Sequence, residues 1–562
     1  MELFTPQQMR ELDALSINEV GIPGAVLMEN AGLAAVAVLR RLYEEPLRGR
    51  KPRAAVLAGG GNNGGDGSVV ARHLHNRGWM TELVLCADPA SLKGDAELNW
   101  RLALRSGVPA YVLAGEAAAQ EAQAQEGGTE VALLARAGDG TPNNSPLSAV
   151  LAPADVIVDG LLGTGATSAP RGSIARAISA TLVAGVPVLS LDVPSGADAL
   201  TGAVPGPCIR ARDTVTFGGL KTGLVQFPAA TYCGHIWVAD ISIPRALSAR
   251  AGVSAWLLSD TQVARDLPKR EPWMHKGDFG RVVLFAGSGR YPGAGYLCAT
   301  GALRAGAGLV TLVVPQCLFD IYASKLSEVM VFAAAGPADA TYSAASVDVA
   351  GDLLKAAGAV AAGPGITTGD EPAAFLEALL ETLGASLVLD ADALTIVSRH
   401  RGARKALGEF VQRNAAILTP HPGEASRLLG MDVQAVQQDR LAAARAVARE
   451  YGCVTVLKGA RTVIAEPGGK AWVNPTGNEG LGTGGTGDVL TGCIASLLAQ
   501  GCAPVAAARG GVYIHGLAAG IAARTAGTAG ITAGDIASRL PEAQHAVRRR
   551  DPSAEPPFIT VL

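Results

Sequence analysis

The chain has 562 residues, 49% of them hydrophobic and 17% charged, a balance that excludes a disordered polymer. Its 47 basic and 50 acidic residues leave a net charge of -3, and only 4% are aromatic, so neither a basic field for a nucleic-acid backbone nor a base-stacking surface is expected. The 70 glycines show no three-residue period, which excludes collagen and assigns them to turns, close helix packing and ligand loops.

Mean hydropathy is +0.26, yet no uninterrupted apolar run reaches the ~18 residues of a membrane span. The N-terminal stretch MELFTPQQMRELDALSINEV carries acids and no apolar signal core. The expectation is a cytoplasmic protein with no membrane or nucleic-acid partner. Cysteines at 86, 208, 233, 298, 317, 453, 493 and 502 lack metal-knuckle or redox-motif spacing, so they read as small core side chains in a reducing compartment.

Residues 6–44 read as helix with a break at Gly21–Gly24. AAVLAGG (54–60) is a short apolar strand entering a glycine turn, and DGSVVARHLHNRG continues as helix. TELVLC (81–86), DVIVDG (155–160), PVLSLD (187–192) and DTVTFG (213–218) give further strands, with helical SIARAISATLVAG between two of them. An Ala/Gln/Glu-rich stretch over 115–147 reads as a surface helix or loop insertion without chemistry. The pattern restarts after a bridge near 245–265 with RVVLFAG, AGLVTLVVP, SLVLDAD, AAILTPHP and VTVLKG, and with helix over Leu490–Gly501. Short buried strands alternating with helices imply mostly parallel sheets covered on both faces.

In such sheets ligands sit beyond the carboxyl ends of strands. GGGNNGGDG (59–67) stands between a strand and a helix, where glycine amides favour phosphate, although its spacing is not the usual dinucleotide fingerprint. A tight turn with an N-cap would also account for it. Asn63, Asp159 and Ser195 lie at strand ends and offer oxygens to a hard or alkali cation, while Asp192 is a candidate acid or base. Caps of the following turns are the alternative for Asp159 and Asp192. In the second half NEGLGTGGTGDVL (478–490) leads into helix, and Asp488 beside an anion cradle suits a base for phosphoryl transfer. Lys458 reads either as a nucleotide contact or as a surface lysine. His421, between two prolines, reads either as a substrate contact or as a satisfied turn histidine.

PQQMRELD, PGAVLMENAG, GGGNNGGDGSVVARHL, VDGLLGTG, LSLDVPSGADALTG and RDTVTFGGLKTG together resemble the NAD(P)HX epimerase domain over roughly residues 1–245. KGDFGRVVLFAGS, YPGA, ALRAGAGLV, LDADAL, TPHPGE, LKGARTVI, GTGGTGDVLTG and GVYIHG resemble the ADP-dependent NAD(P)HX dehydratase, a ribokinase-like group, over about 260–545. The resemblance implies two three-layer α/β/α domains. Residues 1–245 would be Rossmann-like and 246–562 ribokinase-like. It implies epimerisation of hydrated NADH and NADPH, then dehydration of the S epimer driven by conversion of ADP to AMP and phosphate.

The resemblance puts substrate-binding loops at Asn62, Asn63, Gly64, Gly65 and Asp66 and at Gly163, Thr164, Gly165, Ala166, Thr167, Ser168 and Ala169. Potassium falls to Asn63, Asp159 and Ser195, and a substrate-binding acid to Asp192. In the second half the hydrated cofactor falls to Ala294, Gly365, His421 and Asp488, and the adenine nucleotide to Lys458, Gly459, Ala460, Arg461, Thr462 and Gly487. Magnesium would come with the nucleotide, and a homo-oligomer is expected. On the residues alone, a ribokinase-like, ATP-dependent small-molecule kinase with a nucleotide-binding first half stays open.

Overall fold

The computed structural model describes residues 1–44, 50–113, 131–133, 146–334, 341–550 and 558–562. The insertion expected over 115–147 lies outside them except for the strand Val131–Leu133 and the start of the helix Pro146–Leu151. Two compact units emerge. One comprises Glu2–Val253 with Pro557–Leu562, and the other spans Ser254–Pro556. The division thus falls after Val253 rather than after residue 245, because Leu247 and Ala251 close a small core with Phe4, Met9 and Leu12 of the first unit.

The first unit is built on a parallel sheet. In spatial order its strands are Ile559–Val561, His235–Ala239, Asp213–Phe217, Val188–Leu191, Val156–Gly160, Arg53–Ala58, Met80–Leu85, Ala110–Val112 and Val131–Leu133. Both faces are covered. Along the central strand Ala54, Val56 and Ala58 enter one core, while Ala55 and Leu57 enter another on the opposite face. From Arg53–Ala58 the chain first builds the sheet in one direction and then returns to Val156–Gly160 and builds in the other. That reversal opens a crevice at the carboxyl ends of these two strands.

The second unit repeats the device. Its order is Met330–Ala334, Leu309–Pro315, Arg281–Phe285, Ala359–Ala362, Ser386–Leu389, Ala416–Leu418 and Val454–Leu457, all parallel, followed by Val463–Ala465 and Ala471–Val473 antiparallel, and Ala255–Leu257. Here the reversal lies between Arg281–Phe285 and Ala359–Ala362. The helices Pro292–Arg304 and Thr486–Ala499 pack at backbone range over it. A Cβ at Gly301 would lie 2.4 Å from the Val489 carbonyl oxygen, and one at Gly492 2.0 Å from that of Cys298.

The strand Ile559–Val561 was expected with the second half but completes the first unit's sheet. It runs parallel to His235–Ala239, with Ile236 donating to the Phe558 carbonyl at 2.8 Å and Leu562 to that of Val238 at 2.9 Å. Deleting 558–562 should therefore weaken the first unit by about 2–4 kcal/mol, a few ladder hydrogen bonds and their burial. Hydrogen exchange should show lost amide protection at His235–Ala239 and unchanged protection at Arg281–Phe285.

Candidate active sites

In the first crevice the chain passes from strand to helix in three residues. Helix Asn62–Asn76 begins at Asn62, not at Asp66 as the sequence pattern suggested, so the glycine motif is the helix's own first turns. Close packing explains those glycines. A Cβ at Gly59 would lie 1.9 Å from the Leu161 carbonyl oxygen, one at Gly64 1.9 Å from that of Gly59, and one at Gly65 2.7 Å from Met28 Cε.

The tight packing gathers three predicted residues around the backbone of Leu162. Asn63 Nδ2 donates to the carbonyls of Leu162 at 2.8 Å and Leu191 at 3.1 Å, which fixes the amide and leaves its buried Oδ1 without a protein partner. Ser195 Oγ accepts from the Leu162 amide at 2.8 Å and donates to Asp159 Oδ1 at 2.6 Å. Asp159 is wholly buried and also accepts from Leu161 N, Ser190 Oγ and Ser195 N. Burial pushes the Asp159 carboxyl up, and its hydrogen bonds with Ser195, Ser190 and Leu161 oppose the shift. An unpaired oxygen beside a buried carboxylate, with hydroxyl and carbonyl groups around it, is a donor set suited to a hard monovalent cation.

Asp192 sits at φ 63°, a left-handed conformation that costs a non-glycine residue about 1–3 kcal/mol. Its Oδ1 accepts from Lys221 Nζ, from Phe217 N at 3.2 Å and from Thr216 Oγ1 at 3.3 Å. Lys221 is buried and donates as well to the Phe217 carbonyl at 2.7 Å and to Thr216 Oγ1 at 3.1 Å. Two further acids face this pair. Burial holds Asp66 well above the usual carboxylate range, with Asp192 and Asp13 adding to the shift and Lys221 opposing it. Burial likewise raises Asp13. Three carboxyl groups therefore share one ammonium.

The loop Gly163–Ala169 edges this crevice. Gly163 abuts Asn63, with a Cβ there 3.3 Å from Asn63 Cβ, while Gly165, Thr167 and Ser168 are exposed.

The second crevice is lined by strand ends and one helix start. Gly365, at φ 67°, lies against Tyr291 and Ala294, since a Cβ on it would fall 2.8 and 3.0 Å from theirs. Helix Thr486–Ala499 starts with Gly487 and Asp488 in its first turn, where N–H groups lack intrahelical acceptors. Burial, reinforced by Asp390, pushes the Asp488 carboxyl up to about 7, with Lys458 opposing. Lys458 Nζ donates to Asp390 Oδ1 and lies 4.0 Å from Glu424 Oε2. Burial works against that ammonium, but Asp390 and Glu424 outweigh it and keep it charged.

Gly459, Ala460, Arg461 and Thr462 form the turn after Lys458, with Thr462 Oγ1 donating to the Gly459 carbonyl at 2.9 Å and Arg461 at φ 56°. His421 caps helix Pro422–Leu429: its Nδ1 accepts from Gly423 N at 3.0 Å and Glu424 N at 3.4 Å, leaving Nε2 toward Glu424 and the open side. Burial and the nearby Lys458 lower its pKa, so the ring is a neutral acceptor. Ser288 Oγ, on the loop after Arg281–Phe285, is buried without a partner.

Family models match both halves: one described as YjeF-related protein N-terminus over residues 24–223, and one described as NAD(P)H-hydrate dehydratase over 282–542. A bifunctional NAD(P)H-hydrate repair enzyme of Moorella thermoacetica is 40% identical over 541 residues, covering 96% of each chain. The chain belongs to the bifunctional NAD(P)H-hydrate repair enzyme family. The Escherichia coli member is 33% identical, covering 92% of this chain and 88% of its own. A solved ADP/ATP-dependent NAD(P)H-hydrate dehydratase from Bacillus subtilis, co-crystallised with ATP and Mg2+, is 31% identical, covering 52% of this chain and 98% of its own, with a TM-score of 0.45.

Within this repair-enzyme chain, sequence reasoning singled out the loops, LDADAL with Asp390 among them, but missed Asp13, Lys221 and Thr491 and assigned Asp390 no role. Lys221 had one available signal, a lysine inside the apolar, glycine-flanked segment GGLKTGLV. Among the described residues no three His, Cys, Asp or Glu side chains gather as metal ligands, and no helix is long and apolar enough to cross a membrane.

Because the fold raises the pKa of Asp66, it opposes ionisation there, and the cost grows as pH climbs above the unfolded carboxyl's value. Asp66→Asn should therefore melt above the wild type at pH 8, with the gain shrinking toward pH 4. Thermal unfolding across that range reads the effect.

Proposed function

We propose that the first unit interconverts the R and S epimers of hydrated NADH and NADPH, and that the second dehydrates the S epimer while converting ADP to AMP and phosphate. The observation that carries the reading is Asp488: a carboxyl pushed up to about 7 in the first turn of a helix, near the half-buried Lys458, in a chain that matches bifunctional repair enzymes over nearly its whole length.

In the second unit Asp488 takes the proton of the ring hydroxyl as that oxygen bonds to the terminal phosphorus of ADP and the bond to AMP breaks. Lys458 and the first-turn amides of Thr486–Ala499 stabilise the charge that develops on the phosphoryl oxygens. Phosphate then leaves with the C–O bonding pair, pushed by the lone pair of the adjacent ring nitrogen. Loss of a proton from the neighbouring ring carbon restores the dihydropyridine. Phosphate is a far better leaving group than hydroxide, which is why a nucleotide is consumed. Ala294, Gly365 and the open side of His421 hold the hydrated cofactor, and Lys458–Thr462 with Gly487 hold the adenine nucleotide. Magnesium, when bound, would neutralise the nucleotide phosphates, held mainly by those phosphates and water.

In the first unit Asp192, kept oriented by Lys221, handles the proton that epimerisation at the hydroxyl-bearing carbon requires. The substrate lies between Asn62–Asp66 and Gly163–Ala169. Asn63, Asp159 and Ser195 would hold potassium, whose charge would fix the neighbouring loops. The orphaned Asn63 Oδ1 supports that assignment.

Near-ultraviolet absorbance of reduced nicotinamide tests both halves, starting from an R/S mixture of hydrated NADH with ADP, magnesium and potassium. The whole chain should convert the mixture completely. Asp192→Asn should stop at the S fraction beyond spontaneous epimerisation, and Asp488→Asn should recover nothing. Failure of the unaltered chain to produce NADH under conditions where a known dehydratase works would overturn the reading.

The pH dependence follows from the sign of the Asp488 shift. The base must be ionised, so the dehydration rate should hold above about pH 7 and fall as pH drops through it. An acid limb below pH 5, measured on the purified S epimer, would remove Asp488 from the role.

A further inference from the structure

The strand Ser386–Leu389 delivers Asp390 to the centre of the second crevice, and its backbone there is pinned. Its amide donates to the Ala362 carbonyl at 3.2 Å, its carbonyl accepts from Ala393 N at 3.1 Å, and a Cβ on Gly363 would lie 1.9 Å from that carbonyl oxygen. The next residue, Ala391, is held at φ 50°, in the region where a side chain is strained. The carboxylate itself is 1% exposed, and both oxygens are committed. Oδ1 accepts from Lys458 Nζ, on the loop after Val454–Leu457, and Oδ2 accepts from Thr491 Oγ1 at 2.7 Å.

Thr491 is fully buried and stands three residues after Asp488, on the same face of the helix Thr486–Ala499. One residue before Asp488, a Cβ on Gly487 would lie 3.5 Å from Lys458 Nζ and 3.8 Å from Asp390 Oδ2. One carboxylate thus ties together a strand end, the loop carrying the lysine and the helix carrying the proposed base.

We propose that Asp390 is a positioning residue for the dehydration: it clamps Lys458 away from Asp488 and docks the Asp488 helix through Thr491, so that Asp488 remains free to take the hydroxyl proton. The inference rests on the reading of the second unit as the dehydratase.

A buried ammonium seeks a carboxylate, and Lys458 has Asp390, Glu424 and Asp488 within its field. While Asp390 holds it, Asp488 keeps a neighbour of like charge and stays basic. With Asp390 neutral, Lys458 pairs with Asp488 and makes it a weaker base. The other groups facing Asp488 are Asp392, Cys298 and Tyr322. Burial pushes the Cys298 thiol up and the Tyr322 phenol to about 12, so both stay neutral through the working range. Glu424 and His421 face Lys458 from the helix Pro422–Leu429.

The test uses the full chain with ADP and the purified S epimer, so the first unit takes no part. Asp390→Asn should lower kcat roughly 10²-fold, the scale of a misplaced catalytic group, and move the acid limb of the kcat–pH profile to lower pH. Thr491→Val keeps every charge and should lower kcat while leaving that limb in place. A variant Asp390→Asn with wild-type kcat, or with lower kcat and an unmoved limb, overturns the proposal. So does Thr491→Val with wild-type kcat, which keeps the test decisive if Asp390→Asn does not fold. An unaltered chain that fails to dehydrate the S epimer would instead overturn the dehydratase reading itself.

Discussion

A buried ammonium must be paired, and in both units one lysine set against several carboxylates organises the crevice. Lys221 meets Asp192 in the first unit and Lys458 meets Asp390 in the second. Removing either partner would strand a charge in low dielectric, where an uncompensated ion costs several kcal/mol. The parallel architecture makes this arrangement natural. Strand carboxyl ends and helix N-termini share one edge, so acids are drawn to the positive helix ends and a cation is needed to hold them together. Burial makes Asp66 and Asp488 keep their protons more tightly, and the neighbouring acids that the one lysine cannot fully offset add to the shift.

The second constraint is distance. Helices are brought to backbone range of strands and of each other at Gly59, Gly64, Gly301 and Gly492, where a single methyl group would overlap a carbonyl oxygen or the chain around it. Overpacking at such points costs typically 1–3 kcal/mol and shifts the backbone. These glycines set the backbone geometry next to the crevices. The glycine loops are rigid parts of packed helices rather than slack between elements, and that rigidity is what lets Asn63 present a fixed, unpaired oxygen.

The layered fold was legible because its longer strands are short, largely apolar runs of four to seven residues, such as Arg53–Ala58 and Leu309–Pro315, a pattern that buried parallel strands cannot avoid. Asp159 and Asp192 were legible for the same reason, since they stand at the ends of the strands Val156–Gly160 and Val188–Leu191, whereas Asn63 and Asp488 were marked by glycine-rich segments leading into helices. Other features left little local trace. The strand Glu2–Phe4, the pair Leu220–Lys221 and the strand Ile559–Val561 are too short to show a period. Asp13 lies on a helix far from the crevice in sequence and enters it only through tertiary packing. Asp390 was visible as part of LDADAL, but nothing in that string says that its partners are Lys458 and Thr491. Pairing between distant residues is a property of the fold, and a single sequence does not encode it in any local window.

The strand Ile559–Val561 gives the first unit an unusual assembly schedule. Its neighbour ends at Ala239, so more than half of the chain must be synthesised between the two. At about 5–20 residues per second the gap lasts on the order of 15–60 s. During that time His235–Ala239 is the open margin of a parallel sheet, and such margins recruit any extended segment that reaches them. A nascent chain on a crowded polysome meets identical strands from its neighbours in that window. The short length of the late strand, three residues, limits what a wrong copy gains by pairing there.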